Sequence, residues 1–161
     1  MRSKYTETFE VCKNEISKFG FNLFQNGKMQ NLFVYGTLQY PEILQKLTGK
    51  SFVSKPAVLN NYKRHRVKHA EYPAIIPNPG VQTMGLLLEN VDELSLKAID
   101  FYEGEEYEKT AVTVNSEDMD IMALTYVWNG GINNLEKDDW NKNNFEKNYL
   151  EIYLDSGPLE F

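Results

Sequence analysis

The chain has 161 residues, 42% of them hydrophobic and 25% charged, with a formal net charge of −6. One globular domain is the natural count, since domains run roughly 100–200 residues, and such a length supports a real core. The negative balance argues against nucleic acid, because phosphate binding needs a basic surface, and no apolar run approaches the roughly 18 residues of a membrane-crossing helix.

The front of the chain carries Phe9, Cys12, Ile16 and Phe19 at three- and four-residue steps. That is the stripe of an amphipathic helix, with Gly20 as its stop. Residues 1–30 therefore read as a helical extension, 31–154 as the core domain and 155–161 as a tail. Cys12 is the single cysteine, so no internal disulfide forms, which fits a reducing cytoplasm. Met1-Arg2-Ser3-Lys4-Tyr5 leads into no apolar segment, so it is not a secretory signal.

Leu32-Phe33-Val34 predicts a short buried strand that stops at Tyr35-Gly36-Thr37. Glycine takes positive φ and has no side chain to block a ligand. A strand ending in such a turn presents successive N–H groups at one spot, where a carboxylate or oxyanion can sit. Pro41 to Leu47 predicts a helix with proline in its first turn and Gly49 as its stop. Ala57-Val58-Leu59 and Tyr62 to Ala70 read as β structure. Lys63-Arg64-His65-Arg66-Val67-Lys68 within it reads as a solvated strand face. Glu71 to Gly80 is a strand fragment broken by prolines, which belongs at an edge or in an ordered loop. Pro77-Asn78-Pro79-Gly80 is a turn.

Val81 to Leu88 predicts a strand whose Gly85 marks a bulge or a close approach. Asp92 caps a short helix to Ile99. Thr110–Val114 and Ile121–Trp128 are strands, and the acids Glu117, Asp118 and Asp120 lie at their hairpin connection. Asn129-Gly130-Gly131 is a turn. Leu135 to Leu154 carries Trp140, Phe145, Tyr149 and Tyr153 and predicts a C-terminal helix packed on the body. Strands that do not alternate with helices argue for an α+β fold around one curved, mostly antiparallel sheet or small barrel.

For chemistry, Glu103 is the candidate general base. It follows the predicted helix between Tyr102 and Gly104, in the acidic run Glu103, Glu105, Glu106 and Glu108. Aromatic neighbours and nearby negative charge would raise its pKa toward neutrality; the alternative is a solvated acidic loop. His65 and His69 are four apart, but in an extended segment and without a third ligand, so no metal is expected. No phosphate-binding glycine motif occurs, and no cofactor is expected.

Five segments in this order resemble the γ-glutamylcyclotransferase superfamily, in its AIG2-like branch. They are Tyr35-Gly36-Thr37-Leu38, Pro41-Glu42-Ile43-Leu44, Tyr72-Pro73-Ala74-Ile75 with its proline-rich turn, Val81 through Gly85, and Ile99-Asp100-Phe101-Tyr102-Glu103-Gly104-Glu105-Glu106-Tyr107. The resemblance implies a small curved or closed mixed β-barrel of five to six strands flanked by helices. It implies that Tyr35, Gly36, Thr37 and Leu38 bind substrate, that Glu103 is the proton acceptor, and that Tyr107 lines or braces the pocket. The implied reaction closes a γ-glutamyl group into 5-oxoproline and frees an amine or amino acid, without metal or cofactor. The alternatives are a non-catalytic small-ligand-binding module and a protein-interaction module, with the N-terminal helix as the docking surface for a partner or a second copy.

Overall fold

The computed structural model describes residues 28–156. The expected N-terminal helix, with Cys12, lies outside them, as does the tail beyond Ser156. The described chain forms β1 (Gln30–Val34), α1 (Pro41–Thr48), β2 (Ser54–Arg66), β3 (Pro73–Val91), α2 (Glu93–Glu103), β4 (Tyr107–Ser116), β5 (Met119–Trp128), α3 (Lys142–Asn148) and α4 (Leu150–Ser156). Short 3₁₀ turns occupy Thr37–Gln39 and Ile132–Asn134.

The five strands close into a barrel in the order β1-β3-β2-β4-β5. Every pairing is antiparallel except β1 with β5, which is parallel and seals the ring at Leu32 and Leu124. Alternation of side chains along a strand sends successive residues to opposite faces. Phe33 and Tyr35 thus join Ala57, Leu59, Ile75, Leu87, Val112, Val114 and Ala123 in the barrel interior. Leu32 and Val34 face the other way, into a second core with Ile43 and Leu47 of α1, Leu96 and Ile99 of α2, Phe145 and Tyr153. Both faces of β1 are buried, which is why its sequence is a continuous apolar run rather than an alternating one.

The local signals explain most of the termini. Pro41 stands at the first position of α1, and Gly49 closes it in the left-handed region. Asp92 accepts a hydrogen bond from the Ser95 N–H at the start of α2. Glu117 and Asp118 both take positive φ, the two-residue connection that matches the twist of the β4–β5 hairpin.

Three expectations change. The predicted turn at 77–80 is an excursion within β3: Asn60 pairs with Gln82 and Tyr62 with Pro77, so β3 bulges outward there. Asn61 answers it, taking positive φ and accepting the Gly80 N–H. The two predicted pieces are one strand, whose early half pairs with β2 alone, so its prolines do sit on an edge. The single C-terminal helix is two short helices broken at Tyr149, with Trp140 in the loop before them. The helix expected to end at Ile99 runs on to Glu103. No helix of the described residues is long and apolar enough to cross a membrane.

Candidate active site

At one mouth of the barrel, the turn after β1, the end of α2 and the start of β3 line a cavity that opens to solvent. Tyr35, Gly36, Thr37, Leu38, Glu103 and Tyr107 all line it. Six residues drawn from the two distant motifs therefore converge on one space.

The turn holds its shape for a reason the sequence did not give. Gly36 has φ −134°, not a positive value. Its glycine is required by close approach: a Cβ there would lie 2.4 Å from Cγ of Pro73. The Tyr-Pro-Ala segment thus packs directly on the Tyr-Gly-Thr turn. Thr37 to Gln39 then form one 3₁₀ turn, closed by Gln39 N–H to the Gly36 carbonyl at 3.0 Å. The first donors of such a turn have no intrahelical acceptor. Among the described residues, no acceptor takes the N–H of Gly36, Thr37 or Leu38.

The side chains of the turn are committed elsewhere. The Tyr35 ring fills the barrel interior, and its hydroxyl donates to the Tyr126 carbonyl at 2.6 Å. Leu38 packs in the helix-side core. The Thr37 hydroxyl lies 3.0 Å from that of Tyr102, which in turn bonds the hydroxyl of Tyr153. Tyr107 donates to the Pro73 carbonyl at 2.8 Å, so it both lines the cavity and braces the proline against Gly36.

Glu103 is the last residue of α2, and Gly104 ends the helix with φ +74°, a backbone that favours glycine. Among the described residues, none donates a hydrogen bond to its carboxylate. Burial, followed by the negative charge of Asp100, pushes its pKa up to about 8. The neighbouring charge is thus Asp100, one helical turn back, rather than the acidic run expected. Glu105 and Glu108 are exposed, and only Glu106 of that run also reaches the cavity. Asp100 itself accepts from the Tyr126 hydroxyl at 2.6 Å and pairs with Lys109 at 2.7 Å.

Tyrosines dominate the rest of the wall: Tyr72, Tyr102, Tyr126 and Tyr153. Burial raises the pKa of Tyr35, Tyr107 and Tyr153 well above the ordinary value, so their hydroxyls stay protonated. Sequence reasoning placed Tyr153 only in the core and did not assign Tyr126 to the site. The available signal was nine tyrosines within residues 31–154, more than a plain apolar core uses. His65 and His69 do not meet: His65 bonds the Glu136 carbonyl through Nδ1 at 2.8 Å, and His69 sits in an exposed turn with φ +58°. Among the described residues no three ligating side chains gather as a metal site.

Residues 32–144 match the family model described as gamma-glutamyl cyclotransferase, AIG2-like. The chain belongs to this family. An Arabidopsis thaliana relative, AIG2-like protein A, is 33% identical over 122 residues, which is 74% of this chain and 72% of the relative. A solution structure of an Arabidopsis thaliana protein superposes with TM-score 0.65 at 25% identity, covering 81% of this chain and 80% of that one. A structure titled gamma-glutamyl cyclotransferase superposes with TM-score 0.58 at 19% identity, over 68% of this chain and 69% of that one, a likeness of fold.

Proposed function

We propose that this AIG2-like protein is a γ-glutamylcyclotransferase with Glu103 as its general acid and base. What carries the reading is the juxtaposition of Glu103, whose carboxyl pKa is pushed up to about 8 by burial and the Asp100 charge, with Gly36, Thr37 and Leu38 on the wall of one cavity, their N–H groups without an acceptor among the described residues. A γ-glutamyl group brings its own nucleophile, the α-amine, at the right distance to close a five-membered ring on the γ-carbonyl. An α-amine has a pKa of about 8 at a peptide N-terminus and a higher one beside a free carboxylate, so a carboxyl whose pKa is raised toward that range is a better-matched base than an ordinary one, the condition that general base catalysis favours.

The nitrogen attacks the γ-carbonyl and forms a tetrahedral oxyanion. The bond to the leaving nitrogen then breaks, giving 5-oxoproline. Two protons leave the attacking nitrogen and two arrive on the leaving one, carried in turn by Glu103. The turn's N–H groups hold an anionic oxygen of the substrate, and confinement in the cavity supplies proximity. The tyrosine hydroxyls brace the walls of the site: those of Tyr35, Tyr107 and Tyr126 donate to the Tyr126 carbonyl, the Pro73 carbonyl and Asp100. The partner is a small γ-glutamyl amine, amino acid or peptide, in the cytoplasm, with no cofactor.

The test is 5-oxoproline release by the full chain from γ-glutamyl-alanine, γ-glutamyl-ε-lysine and glutathione. Release from any of them, rising with pH toward 8, is the expected result. No release from all three by the folded protein would favour a binding module that keeps the cavity without turnover.

A further inference from the structure

The basic run on β2 is not the uniform solvated face that its sequence suggests. Arg64 turns inward, with its side chain only 18% exposed. Its Nη1 donates to the carbonyl of Tyr35 at 2.8 Å. Its Nε and Nη2 donate to the two carboxylate oxygens of Asp139 at 2.7 and 3.1 Å. Its guanidinium carbon lies 5.5 Å from the centre of the Trp140 ring. Trp140 is anchored in turn by its indole N–H to the Glu71 carbonyl at 2.8 Å.

One side chain therefore ties the end of β1 to the loop before α3, using a planar fork that lysine cannot reproduce. The carbonyl it grips belongs to the peptide that also carries the Gly36 N–H. That peptide is trans, and in a trans peptide the C=O and N–H point in opposite directions. Holding the carbonyl toward Arg64 directs the Gly36 N–H away from it. Gly36 lines the cavity, and its N–H has no acceptor among the described residues.

We infer that Arg64 is a positioning residue: by clamping the Tyr35 carbonyl it fixes the Gly36 N–H as a donor to an anionic oxygen of the substrate. The inference rests on the cyclotransferase reading and adds the part that aims the turn. Asp139 and Trp140 serve it indirectly, by holding the guanidinium.

The experiment compares wild type, Arg64→Ala and Arg64→Lys in two measurements. In amide NMR spectra, Arg64→Ala shifts or broadens the Gly36 resonance and leaves those of Val112 and Ala123 in the barrel interior in place. In the release assay, Arg64→Ala loses about 10- to 100-fold in kcat/KM, the scale of a misplaced site group. Guanidinium ion added to Arg64→Ala recovers part of the loss, a result that a purely structural role would not produce. Arg64→Lys stays close to Arg64→Ala, and it supplies the comparison if the alanine variant does not fold. An unmoved Gly36 resonance, or a moved one with unchanged kcat/KM, would overturn the assignment. Absence of release by wild type would defeat the cyclotransferase reading alone, and the Gly36 resonance would still decide the clamp.

Discussion

The two ends of α2 carry a carboxylate each, and the helix treats them in opposite ways. Burial pushes Asp92 up, but Lys50 at 2.8 Å and the N–H and hydroxyl of Ser95 outweigh it, holding its pKa below the usual value. Glu103 at the other end has no such donor, meets the negative end of the helix dipole, and is pushed up to about 8. Asp92 is thus an anchor that stays charged, and Glu103, on the proposed reading, is the carboxyl that exchanges a proton. The same residue chemistry is held charged at one terminus and pushed toward neutrality at the other, eleven residues of helix apart.

Several changes would break or sharpen that contrast. The largest effect is expected from Glu103→Gln, which keeps size and shape but cannot take a proton. 5-Oxoproline release should fall about 1000-fold with the thermal melt still cooperative; activity near wild type would remove Glu103 from the chemistry. Gly36→Val comes next. Its side chain must displace Pro73, at a cost of about 1–3 kcal/mol, and the displaced turn should lose about 100-fold in kcat/KM.

The stability effects are smaller and opposite in sign. Glu103 holds its proton in the folded state up to about 8 but releases it near 4.5 when unfolded. Between those values the unfolded state binds fewer protons, so ionisation opposes folding as pH rises. Glu103→Gln should therefore match wild type at pH 4 and exceed it at pH 9, by on the order of 2 kcal/mol, in denaturant titrations at the two pH values. Asp92→Ala should do the reverse, losing about 1 kcal/mol near neutral pH as the cap is lost. The smallest change is Asp100→Asn. Removing that charge should lower the Glu103 pKa by less than about one unit, seen as an earlier rise in the pH profile of kcat.

The frame of the molecule was legible because it rests on local rules. The unbroken apolar run at Leu32–Val34, the proline and glycine that bound α1, and the Asp92 cap each state their structure within a few residues. The proline-rich segment was misread because a bulge is defined by the partner strand: Asn61 and Gly80 settle it jointly, from opposite sides of the pair. The candidate site was legible only as a pair of motifs, whose residues the fold brings to one cavity. That Gly36 is needed for Pro73, that Asp100 is the charge acting on Glu103, and that Arg64 turns inward are all contacts across the fold. No spacing rule within one segment records them.

The most direct measurement is a carboxyl NMR titration of the full chain, labelled at the glutamate side-chain carbon and assigned by comparison with Glu103→Gln. Glu103 should titrate with a midpoint near 8 while the exposed glutamates titrate in the ordinary carboxylate range. A Glu103 midpoint near 4.5 would contradict the contrast between the two ends of α2, and with it the role of Glu103 as a proton carrier near neutral pH.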